Sequence, residues 1–181
     1  MKVRLVDFGF AENFRTKEGL HNASESVEVF RGNMIFATLR QFEFKNPSRR
    51  DDLQSLCYLL IYLLKRSKVP FIAKDPKIVC SKKAIFQFQR SIKASLTPED
   101  LVGPSHSNTQ PLLYFVREVF RLKYDECPNY NKLRFMLIKC IMESGEILDQ
   151  QYDWMKPSKD LYNREIIPKY PPMVRKLKVY R

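Results

Sequence analysis

The 181 residues carry 32 Lys+Arg against 20 Asp+Glu, a net charge of +12, with 44% hydrophobic and 13% aromatic residues. That length suits one domain with a tail, and that apolar content excludes wholesale disorder. Five Gly and eleven Pro exclude collagen-like and glycine-rich chains, and the longest apolar run, Leu56 to Leu64, is too short to span a bilayer.

From the N-terminus, Lys2 to Val6 alternate polar and apolar and read as a short β-strand. Asp7-Phe8-Gly9 follows. Ala11 to Asn33 are polar and aperiodic, a long loop. Ser48-Arg49-Arg50-Asp51 fits a capping box and opens a helix over Asp51 to Arg66. Its middle is apolar on every face, so protein must surround it, and it is read as the central helix.

Residues 65–80 form a connector with two prolines. Ser81 to Ala94 is predicted helical, with Ile85, Phe88 and Ile92 on one face. Thr97-Pro98-Glu99-Asp100 starts another helix, with Pro at its first position. Gly103 to Gln110 is a polar loop. Pro111 opens a helix with Leu112, Val116, Val119 and Phe120 on one stripe. Pro128 opens the last one, with Tyr130, Leu133, Leu137, Cys140 and Ile141 inward and Gly145 as its stop.

Beyond Trp154 the chain turns basic. Met155 to Arg181 hold eight basic and two acidic residues. Residues 1–156 thus read as the domain and 157–181 as a basic, Pro-containing tail. A field of that sign favours acidic or phosphorylated proteins, and also nucleic acid, anionic lipid or microtubule surfaces. The four cysteines show no C-x-x-C spacing, so reduced thiols and no metal cluster are expected. No export leader is read, which predicts an intracellular protein, cytoplasmic or nuclear.

Four motifs occur in order. Asp7-Phe8-Gly9 sits directly after the predicted strand. Pro47 to Leu56 reads P-S-R-R-D-D-L-Q-S-L at the entry to the buried helix, and Tyr124 to Arg134 reads Y-D-E-C-P-N-Y-N-K-L-R, with Tyr152-Asp153-Trp154 further on. Together they resemble the casein kinase 1 family of Ser/Thr protein kinases, over residues 2 to about 156. The resemblance implies a mainly α fold: a kinase C-lobe fragment with the activation segment, the later large helices and a β-strand remnant at the N-terminus.

The family implies ATP and Mg²⁺, and transfer of the γ-phosphate to Ser/Thr in acidic or pre-phosphorylated proteins. By resemblance, Asp7, Phe8 and Gly9 form the cofactor-side motif, with Asp7 as a Mg²⁺ ligand; its residue-level alternative is a loop-capping carboxylate. Arg49, Arg50, Lys74, Lys82 and Lys83, with Lys77 nearby, are candidate substrate or anion contacts. Asp52, which holds the catalytic-loop backbone in the family, is read here as structural, a charge at the helix N-terminus. Arg134 is expected to be an internal ion-pair partner and Trp154 a core anchor. Arg31 to Thr38 depart from the family's T-G-T-A-R-Y-A-S: Asn33 replaces a Thr that touches the catalytic loop, and Ile35 an Arg that binds a priming phosphate. Cys127 stands where kinases carry Lys or Arg.

The 181 residues contain no G-x-G-x-x-G and no H-R-D loop. Phosphoryl transfer rests on positioning and charge neutralisation. The chain alone is therefore expected to bind no cofactor, to be catalytically incompetent and to act as a binding or scaffold module. Two alternatives stand beside this: part of an active Ser/Thr kinase whose reading frame starts upstream, and a basic structural protein binding nucleic acid or microtubules through Arg175, Lys176, Lys178 and Arg181. Without the helices that precede D-F-G in a kinase, three or four large side chains of the 51–66 helix would face water, each forfeiting roughly 1.5–3 kcal/mol. A protein partner, or the missing kinase half, is expected to cover that helix.

Overall fold

The computed structural model describes residues 4–72 and 81–145. They form α1 (Leu39–Phe42), α2 (Arg49–Leu64), α3 (Lys82–Ser95), α4 (Pro98–Val102), a 3-10 turn (Gln110–Leu112) running into α5 (Leu113–Phe120), and α6 (Tyr130–Glu143). The mainly α architecture is the expected one. The strand is not: Arg4 to Val6 are exposed and unladdered. Backbone groups of a strand need a neighbour to pair with, and the described residues supply only two isolated antiparallel bridges, Arg15–His21 and Ser26–Lys45.

Local chemistry sets the helix starts. The Asp51 carboxylate accepts the Ser48 N–H at 2.9 Å, closing the predicted capping box, so α2 begins at Arg49, ahead of the predicted Asp51. Thr97 accepts the Asp100 N–H at 3.1 Å, with Pro98 in the first turn of α4. Asn129 accepts the Lys132 N–H at 2.9 Å and caps α6.

The main core gathers around α2. Cys57, Tyr58 and Ile61 pack with Leu101 and Val102 of α4, Phe115, Val116 and Val119 of α5, Leu133 and Cys140 of α6, and Phe71. Phe115 joins this core although the predicted stripe omitted it, while Tyr130, at the first residue of α6, is 51% exposed. A smaller cluster joins Phe30, Ala37 and Phe42 to Phe86 of α3, with ring centroids 5.0–5.5 Å apart. The outer side of α2 is uncovered among the described residues: Leu59, Leu63 and Leu64 are 38%, 60% and 43% exposed.

In α3 the predicted face is displaced. Ile85, Phe88 and Ile92 are only half-buried, whereas Gln89 and Lys93 are buried. Both polar residues reach partners across the core. Gln89 Nε2 donates to the Phe71 carbonyl at 2.6 Å. Lys93 Nζ donates to the Ile35 carbonyl at 2.7 Å and lies 3.5 Å from the Tyr58 ring centroid and 4.9 Å from that of Phe71. Burial lowers the Lys93 pKa to about 7. No helix among the described residues is long and apolar enough to cross a membrane.

Candidate functional site

The richest polar junction lies where the activation segment meets the start of α2. Asp51 is its hub. It is 2% exposed, and it accepts the Thr38 hydroxyl at 2.8 Å and the Ser48 backbone N–H and hydroxyl at 2.9 and 3.2 Å. Arg40 Nε and Arg50 Nε stand 3.9 and 3.8 Å away. A buried carboxylate with this many donors is compensated for its lost hydration. Arg40 carries the network outward: it donates to the Asn46 carbonyl and to Ser24 Oγ, and stacks 4.1 Å from the Tyr124 ring centroid.

Beside this hub a cleft of about 330 Å³ opens between residues 10–32 and the first turns of α2, with Phe14, His21, Arg31, Arg49, Asp52 and Tyr124 among its walls. Two buried nitrogens in these walls, His21 Nε2 and Arg49 Nε, lack a hydrogen-bond partner. Asp52 is exposed at the cleft, and burial of its carboxyl, then the charge of Asp51, push its pKa up.

The remaining candidate residues fall as follows. Asp7 has a left-handed backbone (φ 64°), and its carboxylate accepts the Gly9 N–H at 3.4 Å; Phe8 is 64% exposed. Arg49 donates to the Asp125 carbonyl at 3.0 Å and stacks on Phe14, and Arg50 donates to the Leu122 carbonyl at 3.1 Å. Both therefore hold the 122–125 turn against α2. Lys82 and Lys83 are exposed at the start of α3. Arg134 corrects an expectation: it is exposed, with no ion pair among the described residues, because it sits on α6 away from the inward Leu133 and Cys140. Lys74, Lys77, Trp154, the 156/157 boundary and the basic tail lie outside the described residues.

The side chains present do not by themselves make a nucleotide–Mg²⁺ site. Asp7 is turned to its own loop, and among the described residues no three His, Cys, Asp or Glu side chains converge. The departures in the activation segment have local roles. Asn33 Oδ1 accepts the Ile35 N–H at 2.8 Å, forming an Asx turn. Ile35, at the position of the family's phosphate-binding Arg, packs against the main core and offers its carbonyl to Lys93. The sequence missed Thr38, Arg40 and Tyr124 as members of the hub; Asp51 was visible only as a helix cap.

No family profile matches the chain. It is similar to a probable casein kinase I homologue of Encephalitozoon cuniculi (strain GB-M1), 28% identical over 92% of this chain and 53% of the relative. A second probable casein kinase I homologue of that organism is 31% identical over 81% of this chain and 44% of the relative. Casein kinase I homolog 1 of Saccharomyces cerevisiae is 29% identical over 85% of this chain and 28% of the relative. The chain thus spans about half the length of the first two relatives and about a quarter of the third. With the motifs in order from Asp7 to Arg134 and a helical architecture centred on α2, these likenesses, 28–31% identical over 81–92% of the chain, are consistent with a C-lobe fragment of a casein kinase 1 family Ser/Thr protein kinase.

Proposed function

We propose that the chain is a binding and scaffold module built on a casein kinase 1 C-lobe, and that taken alone it does not transfer phosphate. The observation that carries the reading is the cleft at Asp52. A carboxylate with a raised pKa and two unpartnered nitrogens, His21 Nε2 and Arg49 Nε, line a concavity beside a finished hydrogen-bond hub. Buried polar atoms left without a partner call for one, and in this reading a second polypeptide seated in the cleft supplies it. The exposed Leu59 and Leu63 of α2 extend this surface with apolar area. The occupant in this reading is the preceding part of a kinase domain, in the same protein or in a partner, seated with backbone donors on Asp52.

A second reading, part of an active ATP-dependent Ser/Thr kinase acting on acidic or primed proteins, draws on the paired Thr38–Asp51 link, which keeps the activation segment ordered against α2. One pair of assays separates them. The purified 181-residue chain is incubated with Mg-ATP and casein, then mixed with a separately expressed casein kinase 1 segment that ends before D-F-G. The scaffold reading expects no labelled casein from the chain alone and capture of the added segment, lost in Asp52→Ala. Labelling by the chain alone defeats it.

A further inference from the structure

Independently of the kinase reading, we propose that the turn after α2 is a docking site for an acidic peptide, one rich in Asp and Glu. A shallow cleft there is lined by Leu64, Lys65, Arg66, Lys68, His106 and Asn108. Helix α2 ends in a Schellman motif: the Arg66 N–H bonds to the Leu63 carbonyl at 3.2 Å and the Ser67 N–H to the Tyr62 carbonyl at 2.9 Å. In that motif the residue carrying Arg66 is left-handed, and glycine is the residue that adopts it without steric cost. Here Arg66 (φ 48°) and Ser67 (φ 67°) both take it.

The Schellman hydrogen bonds account for the backbone shape of this turn, but they do not call for the cationic side chains of Arg66 and Lys68. Arg66 and Lys68 are exposed and make no ion pair among the described residues. Helix-end charge complementation alone does not require Arg66, because Lys65 already sits at the C-cap. The Lys65 ammonium is committed elsewhere, donating to the Leu101 carbonyl at 2.9 Å. Nearby acids are also occupied: Glu99 pairs with Arg117 and Asp100 with Thr97. Two exposed cations without an ion pair among the described residues, one of them at a position where glycine costs less, point to an external anionic partner.

Charge complementarity selects carboxylates, and the borders select a peptide. Leu64, in the wall of the cleft, is 43% exposed beside the cations, ready to cover an aliphatic side chain. Among the described residues no Phe, Tyr or Trp lines the cleft, so the stacking faces that single-stranded nucleic acid uses are missing.

The test uses the full chain and a fluorescein-labelled peptide of eight glutamates, read by anisotropy at low salt, with thermal melting in parallel. Arg66→Gly is expected to raise the melting midpoint by roughly 1–3 °C, since it relieves the left-handed strain, while weakening the peptide. Arg66→Gly with Lys68→Gln is expected to weaken it about tenfold. Lys17→Gln with Lys123→Gln, exposed elsewhere on the surface, is expected to change it less than about twofold. No binding by the parent chain overturns the proposal. So does equal binding by the Arg66/Lys68 variant, or an equal loss in the Lys17/Lys123 variant. A thymidine octanucleotide that binds more tightly than the peptide, with the same dependence on Arg66 and Lys68, also overturns it.

Discussion

The hydroxyl of Thr38 donates to the buried carboxylate of Asp51 across 2.8 Å, and that bond ties the end of the activation segment to the first turn of α2. The neighbouring Asp52 makes no such link and remains exposed. Two adjacent carboxylates thus divide their work: one is structural, the other is available at a cleft.

This division predicts unequal costs. Asp51→Ala strands the Thr38 and Ser48 donors and two arginines, and is expected to cost about 3–5 kcal/mol of stability. Thr38→Val removes one bond and costs about 1 kcal/mol. Asp52→Ala stays within about 0.5 kcal/mol. Urea unfolding at pH 7 followed by circular dichroism measures all three.

Lys93 predicts a pH dependence. Its pKa falls from the ordinary lysine value to about 7 on burial. Between pH 7 and about 10.4 the unfolded chain therefore holds a proton that the folded chain has lost, so this group makes stability rise with pH across that window. The contribution to the slope reaches at most about 1.4 kcal/mol per pH unit. Lys93→Met is expected to flatten the rise, while also losing the bond to the Ile35 carbonyl. Denaturant midpoints at pH 7, 8 and 9 decide it; an unchanged slope in the variant removes Lys93 as the cause.

Glu118 acts in the opposite range. Arg121 on the same helix end holds its carboxyl down, with Lys132 of α6 adding to the effect, to about 2. For a depressed acid the stabilisation is present above the unfolded value near 4.3 and is lost as pH falls toward 2. Because the Arg121 and Lys132 side chains are 61% and 46% exposed to solvent, Glu118→Gln is expected to cost only about 0.5–1 kcal/mol at pH 7. Its acid-denaturation profile should be shallower between pH 4.5 and 2.

The two sides of α2 should respond differently. Ile61, fully buried, is expected to cost about 2–5 kcal/mol when replaced by Ala. Leu63→Glu on the open side should leave the chain within about 0.5 kcal/mol of the parent. The same Leu63→Glu is expected to abolish capture of the added kinase segment, as read by size-exclusion co-elution.

What the sequence made legible was local or repetitive. The cap at Ser48 lies three residues from Asp51, and the apolar run of α2 announces a buried helix by itself. The Thr38–Asp51 bond spans 13 residues through a tertiary fold, which no spacing rule encodes. No sequence pattern singles out Lys93, because lysine is seldom buried; its position makes sense only once the Tyr58 and Phe71 rings are seen beside its amino group. Arg134 misled because a motif match fixes a residue's place in the chain and not its partner. The short strand failed because alternation describes one edge of a ladder, and the described chain has no second edge for it.

The Phe30–Phe42–Phe86 cluster stands apart from the apolar mass around α2. Two separate nuclei of burial allow two separate steps of opening. Backbone amides between Phe30 and Phe42 should trade hydrogen for deuterium ahead of those in α2 and α5, and a mass spectrum of quenched, pepsin-cut protein should show the two populations leaving at different rates. The segment from Phe30 to Phe42 would then be able to loosen while the helical body stays shut.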